Sequence, residues 1–137
     1  MTYIKKQFIS KSILVRYGET DQMGIVHHSN YLRYFEVARL EWLTALGVSY
    51  TSMEKKGIIM PVIDANLSYK TSALFEDYLI VHIKLEEIPK VKIKFSYEIR
   101  NQKNQVVCLG NTSLAFLNAK TRKPTRCPEN FIDFFGD

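Results

Sequence analysis

The chain has 137 residues, 46% hydrophobic and 24% charged, with 8 Tyr and 8 Phe, a composition that suits one globular domain over residues 1–137. No apolar run approaches the roughly 20 residues that cross a bilayer, and Met1-Thr-Tyr-Ile-Lys-Lys-Gln-Phe8 lacks the apolar stretch and cleavage site of a secretory leader. Cys108 and Cys127 are too few and too unpatterned for a disulfide scaffold, so a cytoplasmic location is expected.

In chain order, Phe8 to Tyr17 reads as a strand of β-branched and aromatic residues leading into Gly18. From Tyr31 the period changes. Tyr31, Leu32, Tyr34, Phe35, Ala38, Leu40, Trp42, Leu43 and Leu46 recur at helical spacing, and Gly47 stands where a helix ends. Arg33, Glu36, Arg39 and Thr44 leave a narrow polar stripe, so apolar cover is expected over most of this helix. A short helical piece follows at Tyr50 to Lys56. Four strands are then predicted, at Ile58–Tyr69 with an irregularity near Pro61, Tyr78–Glu86, Val91–Arg100 and Val106–Leu117. Glu87-Ile-Pro-Lys90 and Asn101-Gln-Lys-Asn104 supply hairpin turns. With no helix between them, the later strands are expected to be antiparallel, which gives an α+β fold in which one sheet wraps one long helix.

The net charge of +5 raises the question of a nucleic-acid partner, but the basic residues are scattered. Lys90-Val-Lys-Ile-Lys94 alternates as a solvated strand face would, and Lys120-Thr-Arg-Lys-Pro-Thr-Arg126 reads as a loop. No nucleic-acid partner is expected.

Chemistry concentrates in Glu19-Thr-Asp-Gln-Met-Gly-Ile-Val-His-His-Ser-Asn-Tyr31, between the first strand and the long helix. Asp21 places a carboxylate on a loop, and Gly24 permits close approach or positive φ. Ser29 or Asn30 can cap the helix, so its first-turn amides would favour negative charge, including an oxyanion. On spacing alone the same residues also suit a bland role: Asp21 as an Asx turn, and His27-His28 as a surface or packed pair.

The run Tyr17-Gly-Glu-Thr-Asp-Gln-Met-Gly-Ile-Val-His-His-Ser-Asn-Tyr-Leu-Arg-Tyr-Phe-Glu-Val-Ala-Arg39 resembles the signature of the 4-hydroxybenzoyl-CoA thioesterase-like branch of the hotdog superfamily. Members of that branch include acyl-CoA thioesterases associated with the bacterial Tol-Pal system. The resemblance implies a hotdog fold and hydrolysis of an acyl thioester, on coenzyme A or an acyl carrier protein. It implies that Asp21 is the catalytic carboxylate, as nucleophile or as general base, with the His28 backbone N–H as oxyanion donor and the His28 side chain orienting substrate or water. Gly24, Val26 and His27 would line the site. Asn30 and Tyr31 would fix the helix start, with Asn30 also a candidate for substrate contact, and Glu36 would pair with Arg39. The family implies a homodimer joined edge to edge, often a dimer of dimers, with Lys70, Lys90, Lys92 and Arg122 as candidates for the coenzyme A phosphates. Chain length and aromatic preference would depend on side chains such as Tyr34, Phe35, Tyr69 and Phe116. No cofactor beyond the coenzyme A of the substrate is expected, nor a metal, since adjacent His27 and His28 lack the i,i+4 spacing of a helical ligand pair.

Rival readings remain open at this level. A serine or cysteine hydrolase is disfavoured, since the chain has no Gly-x-Ser-x-Gly elbow and neither cysteine has a His near it in sequence. A hydratase or dehydratase of the same fold, or a non-catalytic acyl-CoA or carrier-protein binding module, are the alternatives that thiol release would separate.

Overall fold

The computed structural model describes residues 7–133, so part of the stretch read for a leader, and both ends of the 1–137 domain, lie outside the described residues. In chain order the elements are β1 (Gln7–Ile9), β2 (Ile13–Leu14), a 3-10 turn at Tyr17–Glu19, α1 (Ser29–Ala45), α2 (Tyr50–Lys55), β3 (Ile58–Ile59), β4 (Val62–Tyr69), β5 (Tyr78–Leu85), β6 (Lys92–Arg100), β7 (Val106–Ala115), β8 (Leu117–Asn118) and α3 (Glu129–Ile132). The main sheet runs β1-β5-β6-β7-β4 with β2 also on β5, and its pairings are antiparallel. β3 and β8 form a separate two-stranded ribbon.

Alternation decides which face of the sheet is wet. In β6, Ile93, Phe95, Tyr97 and Ile99 are buried while Lys92 and Lys94 are exposed, as the alternating basic stretch predicts. Leu79, Val81, Ile83 and Leu85 of β5 share that buried face. Against it lies α1, whose buried residues include Tyr31, Tyr34, Phe35, Ala38, Trp42 and Leu43 at helical spacing. The Phe35 ring stacks on Tyr97 with centroids 4.0 Å apart. Gly110 makes this approach possible: it pairs with Tyr97, and a Cβ there would fall 2.7 Å from the Phe35 ring and from the Asn66 carbonyl. One sheet therefore curls round one long helix, the hotdog arrangement.

Four expectations are corrected. The strand predicted at Phe8–Tyr17 breaks at Ser10–Ser12, because Ser10 turns inward; its N–H donates to the Val81 carbonyl and its Oγ accepts from the Val81 N–H. The irregularity expected near Pro61 is present but is a full break: the strand predicted at Ile58–Tyr69 divides at Met60-Pro61, where proline has no N–H for a ladder. The last strand bends at Phe116, and Leu117–Asn118 leaves the main sheet to pair with Ile58–Ile59. The cover of α1 is also less complete than its sequence implies, since Leu32, Val37 and Leu40 stay exposed.

Candidate active site

The segment Glu19–His27 closes on itself as a small hairpin. The His27 N–H donates to the Glu19 carbonyl at 2.8 Å and the Asp21 N–H to the Ile25 carbonyl at 2.9 Å, with Thr20 bridged to Val26. At its tip the Gly24 N–H reaches the Asp21 carbonyl at 3.0 Å, with Gly24 at φ 79°, a conformation that a side chain would strain. Asp21 Oδ1 accepts from the Met23 N–H at 2.8 Å. The Asx turn is formed, and it engages one carboxylate oxygen.

Three long-range ties hold this hairpin to the helix and the sheet. Asn30 is buried, and its Nδ2 donates to the Glu19 carbonyl at 3.0 Å and the His27 carbonyl at 3.4 Å. The Tyr34 hydroxyl donates to Glu19 Oε1 at 2.9 Å. The Val26 N–H donates to the Ala73 carbonyl at 2.8 Å, fixing the hairpin to the connection between β4 and β5. Burial pushes the Glu19 carboxyl upward, but hydrogen bonds from the Arg16 N–H, the Tyr34 hydroxyl and the Arg16 guanidinium outweigh it and leave it below its ordinary value. Burial, and then the Glu19 charge, push Tyr34 well above the usual phenol range, so Tyr34 remains a donor.

The helix start differs from expectation. His28 is the N-cap residue, and Ser29 and Asn30 already lie inside the helix and do not cap it. The His27 ring stands in for a cap: its Nδ1 lies 2.8 Å from Ser29 Oγ and accepts the Ser29 N–H at 3.3 Å. The Asn30 N–H donates to the His27 carbonyl and the Tyr31 N–H to the His28 carbonyl. Among the described residues nothing accepts the His28 N–H.

A cavity of about 350 Å³ opens over this place, lined by Asp21, Val26, His28, Tyr31, Tyr69 and Lys70, with Thr71 and Ser72 beside them. The structure thus brings Asp21, Val26, His28 and Lys70 together. Gly24 shapes the hairpin tip from outside the cavity lining, His27 is an exposed ring beside His28, and Asn30 is held as a buried tie. Lys90, Lys92 and Arg122 do not line the cavity. They sit at the other end of the sheet, where Lys92 pairs with Ala115 and Arg122 follows β8. Of the side chains proposed for substrate selection, Tyr69 lines the cavity while Tyr34, Phe35 and Phe116 are buried in the core. Thr71 and Ser72 went unread because their loop meets the hairpin only through the fold. Glu36 and Arg39 do approach each other, at 4.0 Å.

Burial raises the two cysteine thiols, Cys108 to about 11 and Cys127 to about 12, so both are protonated at neutral pH. Among the described residues no three His, Cys, Asp or Glu side chains converge as a metal site. No helix there is long and apolar enough to cross a membrane. A larger concavity, of about 780 Å³, lies apart from Asp21 against β1, β5 and β6 and is lined by residues such as His82, Lys84 and Glu98.

Residues 15–135 match the model of the thioesterase-like superfamily, and the chain belongs to that family. It is 38% identical over 124 residues, 90% of each chain, to a protein of Bacillus subtilis described as putative acyl-CoA thioesterase YneP. It is similar in structure to a DHNA-CoA thioesterase from Staphylococcus aureus, with a TM-score of 0.87 and 40% identity over 93% of this chain and 85% of that one. Acyl-CoA thioesterase YbgC of Haemophilus influenzae is 29% identical, over 85% of this chain and 86% of its own.

Proposed function

We propose that this protein hydrolyses acyl-CoA thioesters, with Asp21 as the reacting carboxylate and the opening turn of α1 as the oxyanion donor. The observation that carries the reading is the shared cavity: Asp21 and the residue with the unclaimed amide, His28, line one opening in front of a helix N-terminus. Asp21 Oδ1 is held by Met23, which fixes the carboxylate in place. As general base, Asp21 takes a proton from water as the water oxygen bonds to the carbonyl carbon. The carbonyl oxygen gains charge against the His28 N–H; the C–S bond then breaks, and the thiolate leaves and is protonated. As nucleophile, the same carboxylate would form an anhydride that water then opens. Labelled oxygen appearing in Asp21 after a single turnover in labelled water would select the second path.

The reading includes a homodimer. Among the described residues nothing pairs with the outer edge of β4, whose Val62 and Ile63 are 47% and 49% exposed, and a second copy of the same strand offers a partner of matching length. Antiparallel pairing about a two-fold axis would carry the Val62 end of each sheet, with Lys90, Lys92 and Arg122, toward the partner's cavity and the phosphates of its coenzyme A. The test is thiol release from acyl-CoA thioesters of varied length and one aroyl-CoA. Release well above the spontaneous rate from at least one of them is expected. Binding without release would favour a non-catalytic module, and enoyl-CoA hydration a hydratase.

A further inference from the structure

A second cavity, of about 390 Å³, lies between the middle of α1, α2 and the start of β4. Its walls are mainly apolar, with Leu40, Leu43, Val62 and Phe95, yet Arg39 and Glu36 line it too. The Arg39 side chain is only 10% exposed, and its Nη1 donates to the Tyr97 hydroxyl at 3.1 Å. Tyr97 is buried and hydrogen-bonded in turn with Thr112. Burial holds the Tyr97 hydroxyl above the usual phenol range even beside Arg39, so it supplies no countercharge. Among the described residues the nearest carboxylate oxygen is Glu36 Oε2, at 4.0 Å, on a side chain 63% exposed. A guanidinium so placed has lost most of its water and holds only this one long ion pair, to an exposed carboxylate at the cavity wall, and a ligand carboxylate would supply a second, bidentate partner.

The two cavities flank opposite ends of β4, with Val62 in this one and Tyr69 in the Asp21 cavity. The eight residues of β4 span roughly 25 Å, while along α1 Tyr31 of the Asp21 cavity and Arg39 of this one are separated by roughly 12 Å. Two-fold antiparallel pairing of β4 over its full length sets Val62 of one protomer opposite Tyr69 of the other. Each Arg39 cavity then adjoins the partner's Asp21 cavity.

Resting on the thioesterase and dimer reading above, we propose that Arg39 receives the far end of the acyl group whose thioester lies at the partner's Asp21, and that this end carries a carboxylate. The favoured substrates are therefore ω-carboxyacyl thioesters with an apolar middle.

The experiment compares succinyl-, adipyl- and suberyl-CoA with butanoyl-, hexanoyl- and octanoyl-CoA, read as the ratio of kcat/KM at equal carbon count. The unaltered protein is expected to favour the carboxylated member by about tenfold or more for at least one length. Arg39→Gln should bring that ratio to about one, and Arg39→Lys should retain part of it. A merely structural Arg39 would lower both rates and leave the ratio, which overturns the proposal. Mixing Arg39→Gln with Asp21→Asn protomers should restore the preference, because a hybrid dimer holds one site with both native residues. An unrestored preference contradicts the arrangement across the dimer. Binding to the Asp21→Asn protein separates this inference from the thioesterase reading: adipyl-CoA or another carboxylated member should bind about tenfold tighter than its neutral counterpart whether or not the native protein turns either over. Equal affinities at every length overturn it.

Discussion

Glu19 ties the hairpin that carries Asp21 to the start of α1 through both its side chain and its backbone. Its carboxylate collects the Arg16 N–H, the Arg16 guanidinium and the Tyr34 hydroxyl, while its carbonyl receives His27 and Asn30. Because its folded value lies below the ordinary 4.5, its charge stabilises the fold above that pH, and the contribution is lost as pH falls through the lowered value. Urea unfolding from about pH 7 down to about pH 3 should show the native protein losing its advantage over Glu19→Gln as acid is added; a constant difference would contradict this. Asn30→Ala removes the donor to two buried carbonyls and should cost about 1–3 kcal/mol of stability in the same assay. These ties were only partly legible in sequence. Asp21 stood out by residue type, while His28, Val26 and Lys70 entered only through the family resemblance. The partnership of Glu19 with Tyr34 carries no local mark, because the two residues meet only once α1 has packed.

At the scale of the element, Gly110 sets how closely α1 lies on the sheet. Gly110→Ala would press a methyl onto the Phe35 ring and the Asn66 carbonyl, so destabilisation of about 1–3 kcal/mol is expected in denaturant melts. An unchanged midpoint would mean that the helix shifts freely. The strands β5 and β6 and the long helix were readable because the periods of their buried residues run unbroken, as from Ile93 to Ile99. What was not readable were the interruptions. Ser10 leaves its strand for a bond with Val81, and the chain beyond Phe116 pairs with residues far back in sequence. The capping role passed to His27 for a similar reason: the hairpin it closes orients its ring over Ser29.

For the whole molecule, the outer edge of β4 is left unpaired among the described residues, and the exposed Leu40 of α1 lines the cavity beside its first residue, Val62, on the side where a second copy would dock. Ile63→Glu places a charge on that edge, and light scattering should then report a monomer where the native protein is a dimer. If the variant stays dimeric, this edge is not the interface. In the proposed reaction a single carboxylate performs the chemistry on a scaffold that binds substrate without it. Thiol release from one acyl-CoA under saturating conditions, measured for the native protein and Asp21→Asn, should show a loss of about 10²–10⁴-fold in kcat with substrate binding retained. Equal turnover by the two proteins would contradict that role for Asp21.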